Sequence, residues 1–565
     1  MVPVALGYLF ESNPQSMFFQ GDVMSLRTRF FLPIIAFALV LLAGCGGSGS
    51  NTPVAPPGGG FSNSNLSGTY VFSFSGTDTV NQIFFTAAGT FTADGNGGIS
   101  AGTIDINDAG YTQATIGNNS GYAITADGRG RGTLVTNNVG TIGIDFVLNS
   151  NSHGMIMRFD QNGTGSGTLD LQDSTVAQSN LTNYAFAMSG VDSSGNPLVT
   201  EGMFSLGGTS TIGAGGIEDF NDSGVSNALT GLALTGTVSV GANGPGTATL
   251  TAATSPFGTL TFDVWTIDAT HLKLIEIDGV ELLSGDAYTQ QTTLSSGPLV
   301  YTMTGLDTSG ALFAAGGYVN YSGPSTLTAG LEDINDSGTV NQSPSVTGSL
   351  TATANTGRYA ITLSGLFNGV GTTNGSYSFT GYPFTAGGAT GVLLMETDGQ
   401  GVTSGTAMVQ TAQTFTSGQG VAFNLTGANA GGEVDDIAEF TANSDGTLSN
   451  GIIDENDENT GAGEVVAFKQ GLGTGGTYTY DSPATGRGVL IYPSTNTTYN
   501  GSLGLAYYVV NSSTALFIEG DSGQVGVGTF ALQSTTASQA AVSRTQAHLS
   551  TLRAIAAAKV KKRKS

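Results

Sequence analysis

The stretch Thr69-Tyr-Val-Phe-Ser-Phe-Ser-Gly76 decides the fold. Tyr70, Phe72 and Phe74 are large and apolar and the residues between them are mostly small, and this period of two marks a strand with one buried face. The pattern returns three times, as NYAFAMSG from Asn183, LVYTMTG from Leu299 and VAFNLTG from Val421. Four closing stretches match each other as well: GTLDLQ to Gln172, GDAYTQ to Gln290, GTAMVQ to Gln410 and GTFALQ to Gln533. Together they delimit four tandem β-modules at 66–173, 183–290, 298–411 and 420–534.

Within the first copy, alternating runs fall near 69–75, 82–92, 98–106, 121–127, 132–137, 143–149, 153–159 and 166–172, about eight strands in all. Gly, Asn and Asp punctuate them, the residues that accept the positive φ of tight turns. Short connections favour an antiparallel meander, and eight strands can close into a small up-and-down barrel with no free edge. A two-sheet β-sandwich is the alternative, since it buries alternate residues in the same way. Composition agrees with several all-β domains: 87 of 565 residues are Gly, only 10% are charged and 39% are hydrophobic, too many for a disordered chain.

The N-terminal region carries a targeting signal. Arg27 and Arg29 precede an apolar run from Phe30 to Leu42, which is too short to span a bilayer. The run ends in Leu42-Ala43-Gly44-Cys45, with the only cysteine of the chain. This segment resembles the lipobox of bacterial lipoproteins, which implies a signal peptide at 24–44, cleavage before Cys45 and diacylation of that residue. Gly46 follows where an acidic residue would favour inner-membrane retention, so the resemblance implies an outer-membrane or cell-surface address. Met24 reads as the true start, with 1–23 an extension ahead of the signal, and 45–65 as a flexible Gly/Ser/Pro tether. In strand count and spacing alone, the modules resemble avidin- and lipocalin-type barrels.

One motif recurs inside the modules. DxNDxG appears as Asp105-Ile-Asn107-Asp108-Ala-Gly110, Asp219-Phe-Asn221-Asp222-Ser-Gly224 and Asp333-Ile-Asn335-Asp336-Ser-Gly338. The fourth copy has Asp454-Glu-Asn456-Asp457 with its glycine displaced to Gly461. Clustered oxygen ligands and a glycine suit calcium, the one metal cofactor this chain suggests, and Glu218, Glu332, Glu455 and Glu458 add charge nearby. The spacing is not that of an EF-hand, because position twelve holds Ile116, Thr230, Pro344 or Val465 in place of a bidentate glutamate. The competing reading is hairpin-turn chemistry, with Asn and Asp bonding their own backbone.

Signals for catalysis are weak, and no residue is assigned a catalytic role. His153 and His271 sit before the seventh strands of only two modules and read as solvated turn histidines. Glu276, Glu396 and Glu519 recur with the repeat, where Arg158 stands in the first module, and read as a solvated strand face and not as a glycosidase pair. The fragments around Arg129 and Arg487 read as hairpin turns. Charge excludes one class of partner: the mature body carries seven basic and 39 acidic residues, about 32 net negative charges, so it is no nucleic-acid binder. The Ala-rich tail 535–565 is basic and helix-prone, suited to an anionic surface or to solvent.

Three functions remain at this level. The first is a lipid-anchored structural or adhesive protein meeting cell-surface or extracellular polymers. The second is an array of ligand-binding barrels with an apolar pocket lined by residues such as Phe72, Phe186 and Tyr301, and the third an enzyme acting on extracellular polymers.

Overall fold

The computed structural model describes residues 60–535 except 109, 224–227, 242–243, 308, 356, 367–374, 459–464, 472–475 and 494–501. Cys45, the signal, residues 45–59 of the tether, Gly224, Gly461 and all but the first residue of the tail lie outside the described residues, and Phe61 of the tether is buried in the first core.

The first module has nine strands: Ser67–Asp78, Ile83–Asp94, Gly98–Asn107, Tyr111–Ile116, Ser120–Ile124, Arg129–Val135, Thr141–Leu148, His153–Asp160 and Gly163–Leu171. Its first strand pairs on one side with the second, Tyr70 opposite Phe91, and on the other with the last, Tyr70 opposite Leu171. Eight strands thus close an antiparallel barrel, as the alternation predicts, and the sandwich is excluded. The additional strand, Tyr111–Ile116, pairs with the third strand ahead of a break. In the third module the matching segment is one unbroken strand, Thr339–Ala352.

Modules two and three have eight strands each and close in the same way, Tyr184 lying opposite both Phe204 and Thr289, and Leu299 opposite both Val319 and Val409. Their sheets join through Thr289↔Thr385 and Gln290↔Phe384. The fourth module is a half-barrel. Its first strand again pairs with both the second and the last, but among the described residues no ladder joins Val465–Gly471 to Thr477–Ser482. The bridge Thr447↔Thr477 spans that side.

Each barrel buries its own core. Phe72, Phe74, Phe91 and Phe146 fill the first, and Phe186, Tyr301 and Phe423 hold the place of Phe72 in the others. Phe72, Phe186 and Tyr301 are thus buried in the cores of the first three barrels. Glycine abundance has a local cause at close strand crossings: a Cβ on Gly167 would lie 1.7 Å from the Ser73 carbonyl, and one on Gly130 2.3 Å from the Phe146 ring.

Further apolar clusters lie between the barrels. Val71 and Ala88 meet Trp265, Ile267 and Ile275. Val199 meets Met395 and Val402, and Ala314 meets Ile518 and Val527. Val147, Met155 and Met157 of the first module meet Ala422 and Ile437 of the fourth. The modules thus pack in the order one, two, three, four and back to one, so the chain closes a ring through four head-to-tail seams.

Candidate functional site

The DxND residues converge on these seams. Asp105 and Asn107, with their counterparts, end the third strand of each module, where alternation turns both side chains outward onto the next barrel.

In the first seam, Asp105 accepts from Trp265 Nε1 at 2.9 Å, the Tyr111 hydroxyl at 3.0 Å and Gln113 Nε2 at 2.9 Å. Asn107 Nδ2 donates to the Glu276 carbonyl at 2.9 Å, its carboxylate at 3.2 Å and the Glu281 carbonyl at 3.4 Å. In the second seam, Arg358 grips Asp219 through Nε at 2.9 Å and Nη2 at 3.0 Å, and the Tyr382 hydroxyl donates to the same carboxylate. Asn221 donates to the carbonyls of Glu396 at 2.8 Å and Gly401 at 3.1 Å.

The third seam repeats the scheme. Arg487 holds Asp333 at 2.7 and 2.8 Å, Tyr508 donates to it at 2.6 Å, and Asn335 donates to the carbonyls of Glu519, Asp521 and Gln524 at 3.1, 2.9 and 2.7 Å. In the closing seam Arg129 donates to Asp454 at 2.8 Å, and Asn456 to the carbonyls of Arg158 at 2.9 Å and Gly163 at 3.0 Å, across about 300 residues of chain. The asparagine thus ties down the hairpin between the last two strands of the following barrel every time.

A second lock comes from the glutamines that end the modules. Gln172 Nε2 donates to the Thr266 carbonyl at 2.9 Å, Gln410 to those of Thr485 at 2.8 Å and Val509 at 2.6 Å, and Gln533 to those of Asp127 at 2.7 Å and Leu148 at 2.9 Å. Gln290 departs from the pattern and turns to the Met203 sulfur of its own barrel.

The other candidate ligand residues, Asp108, Asp222, Asp336 and Asp457, follow at the strand ends, and turn chemistry is visible there. Ser337 and Gly338 take φ of 48° and 88°, as a two-residue hairpin needs, and the Gly338 amide donates to Asn335 Oδ1 at 3.0 Å. Among the described residues no group of three or more His, Cys, Asp or Glu is arranged to hold a metal ion.

Several readings from sequence are corrected by burial. Glu276, Glu396 and Glu519 are fully buried, on the strand face that carries the core residues Leu274, Leu394 and Phe517, and do not form a solvated face. Burial pushes the Glu276 and Glu396 carboxyls up to about 9, with Asp278 and Asp398 adding to the shift, and Glu519 well above the usual range. His153 and His271 are also buried, paired with Asp170 at 2.7 Å and Asp286 at 2.6 Å. Arg129 and Arg487 start the strands that follow turn glycines Gly128 and Gly486, so the turn reading places the glycines correctly and misses the arginines.

Electrostatics differ from seam to seam. The first has no arginine: Pro245 stands where the other barrels carry Arg129, Arg358 and Arg487, and Asp105 faces Asp263 across the Tyr111 hydroxyl, 3.0 Å from each. Burial and the Asp263 charge push Asp105 up to about 7. In the second, Glu201 is fully buried and held well above its ordinary range by burial, so it stays neutral. In the closing seam Thr77 donates to Glu433 at 2.6 Å and Thr164 to Asp435 at 2.7 Å, and burial raises both carboxyls, Asp435 to about 6. The Thr77 and Thr164 hydroxyls thereby bond the first barrel to the fourth.

No family model and no curated protein matches the sequence.

Proposed function

We propose that this protein is a lipid-anchored envelope or cell-surface body with a structural or adhesive role, in which four fused barrels form one stiff contact surface held on a tether. One observation carries the reading: the polar residues that recur from module to module are spent on the seams of a closed ring. A repeated catalytic or ligand site would instead keep such residues open to solvent. The lipobox at Cys45 supplies the anchor and the stretch from there to residue 60 the spacer, since Phe61 is already buried in the first barrel. The acidic body favours solubility and a cationic or neutral polymer as the contacting partner.

The test is fractionation of expressing cells together with adhesion to polymer-coated surfaces. The intact chain should label with a clickable acyl chain, sediment with the envelope and raise adhesion. Cys45→Ala should lose label, retention and adhesion together. An unlabelled intact chain, or adhesion that is the same with and without the protein, would refute the proposal.

A further inference from the structure

The first two barrels are closed at one end by two devices, of which the third keeps one, with Leu299 in place of the tyrosine, and the fourth departs from both. The first device is the first large residue of the opening strand. By register it lies opposite the residue before the module's final glutamine: Tyr70 opposite Leu171, Tyr184 opposite Thr289, Leu299 opposite Val409 and Val421 opposite Leu532. In the first two barrels this residue is a tyrosine, fully buried, stacked at 6.2 Å on Phe91 or packed at 5.5 Å on Phe204. In the fourth barrel it is Val421, smaller by an aromatic ring.

The second device is a plug from the segment ahead of each barrel. Leu66, Leu181 and Leu294 are buried in the cores of the first three barrels. The fourth barrel has Phe415, only half-buried, with its amide donating to the Tyr480 hydroxyl at 2.7 Å.

Beneath Phe415 lies a cavity of about 30 Å³, its walls almost wholly apolar, bounded by Val421, Phe440, Tyr480, Tyr507 and Phe530. The rings around it meet edge to face, Tyr480 with Tyr507 at 78° and Phe440 with Phe530 at 89°. Edge and face together make a lining complementary to another ring.

We infer that the mouth of the fourth barrel is a binding site for a single apolar aromatic ring, which takes the space that Tyr70 and Tyr184 fill in the sister barrels, with Phe415 as its gate. The cavity alone is smaller than a ring, so entry requires the Phe415 side chain to swing out, and its half-exposed position on the connecting segment permits that. An apolar ring is favoured over a phenol. Tyr70 and Tyr184 place their hydroxyls on hairpin carbonyls, Asn151 at 2.6 Å and Ala269 at 2.7 Å, whereas the Ser512 carbonyl in the corresponding hairpin of the fourth module already accepts the Thr416 amide at 2.8 Å.

The experiment is a calorimetric titration of the full chain carrying Cys45→Ala, with toluene as the free-molecule probe and N-acetylphenylalanine amide as the probe for a ring borne on a peptide. Saturable toluene binding is expected, tightened about tenfold by Phe415→Ala, which removes the gate, and abolished by Val421→Tyr, which restores the filling seen in the sister barrels. Binding of the amide as tight as that of toluene would assign the site to an aromatic side chain of a partner, and weaker binding to a free molecule. No saturable binding by either the starting chain or Phe415→Ala would overturn the inference, as would toluene binding unaffected by a folded Val421→Tyr.

Discussion

Replacing Asn107 with Ala removes the donor that ties the first barrel to the second. Its amide serves two backbone carbonyls and one carboxylate oxygen of the Glu276–Glu281 hairpin, and both Asn107 and Glu276 are fully buried. A buried carbonyl that loses its donor costs roughly 1–3 kcal/mol, so two of them cost about 2–6 kcal/mol. Spent on the seam, that amount raises the population with barrels one and two parted by a factor of at least about 30. The reporter is built in: Trp265 is the sole tryptophan, 1% exposed, and donates across this seam to Asp105. Acrylamide quenching of its emission should rise in Asn107→Ala, while far-UV circular dichroism stays unchanged because each barrel keeps its own core. If quenching matched that of the starting chain, with stability within about 0.5 kcal/mol as for an ordinary surface change, the seam role of the motif would be wrong.

Other perturbations give different signs. Arg487→Met strands the buried Asp333 carboxylate and should cost about 3–5 kcal/mol in denaturant unfolding, whereas Arg487→Met combined with Asp333→Leu should recover most of that loss. The first seam should weaken as pH rises. Asp105 is held up to about 7 in the fold by burial against an ordinary value of about 4, so its contribution is complete below about pH 4 and is lost as pH climbs through 7. Trp265 emission should therefore shift to the red between pH 5 and 8, and Asp105→Asn should flatten that profile. The carboxylates of Asp105, Asp219, Asp333 and Asp454 accept from protein donors across the seams, so melting curves in calcium and in chelator should coincide; a rise in Tm with calcium would return the motif to metal binding.

The strands were legible because one face of each is buried: the alternation of Tyr70, Phe72 and Phe74 marks the inside of a barrel wherever it recurs. Tyr111–Ile116 escaped that reading since Tyr111, Gln113 and Thr115 point toward polar partners or solvent and leave only Ala114 and Ile116 as an apolar signal. The motif residues themselves were visible, as was the glutamine at each module end. Their task was not, because a seam residue is satisfied by groups far along the chain. Arg129 meets Asp454 325 residues away, and nothing local distinguishes it from a turn arginine. One signal was available: arginine follows the turn glycine in GRG at 128–130, GRY at 357–359 and GRG at 486–488, and proline stands there in the second module. Three recurrences at one place in the repeat point to a shared role. Glu276, Glu396 and Glu519 misled for a related reason, since a carboxyl ordinarily sits in water and only the fold shows that these are kept neutral by burial.

The ring itself rests on the closing seam, where no linker joins the fourth module to the first. The most direct test is a double-mutant cycle on Arg129→Met and Asp454→Asn, measured by denaturant unfolding. A closed ring predicts a coupling of about 1–3 kcal/mol between these two buried, hydrogen-bonded side chains. Additive effects, with coupling below about 0.5 kcal/mol, would contradict the ring and leave a linear string of barrels.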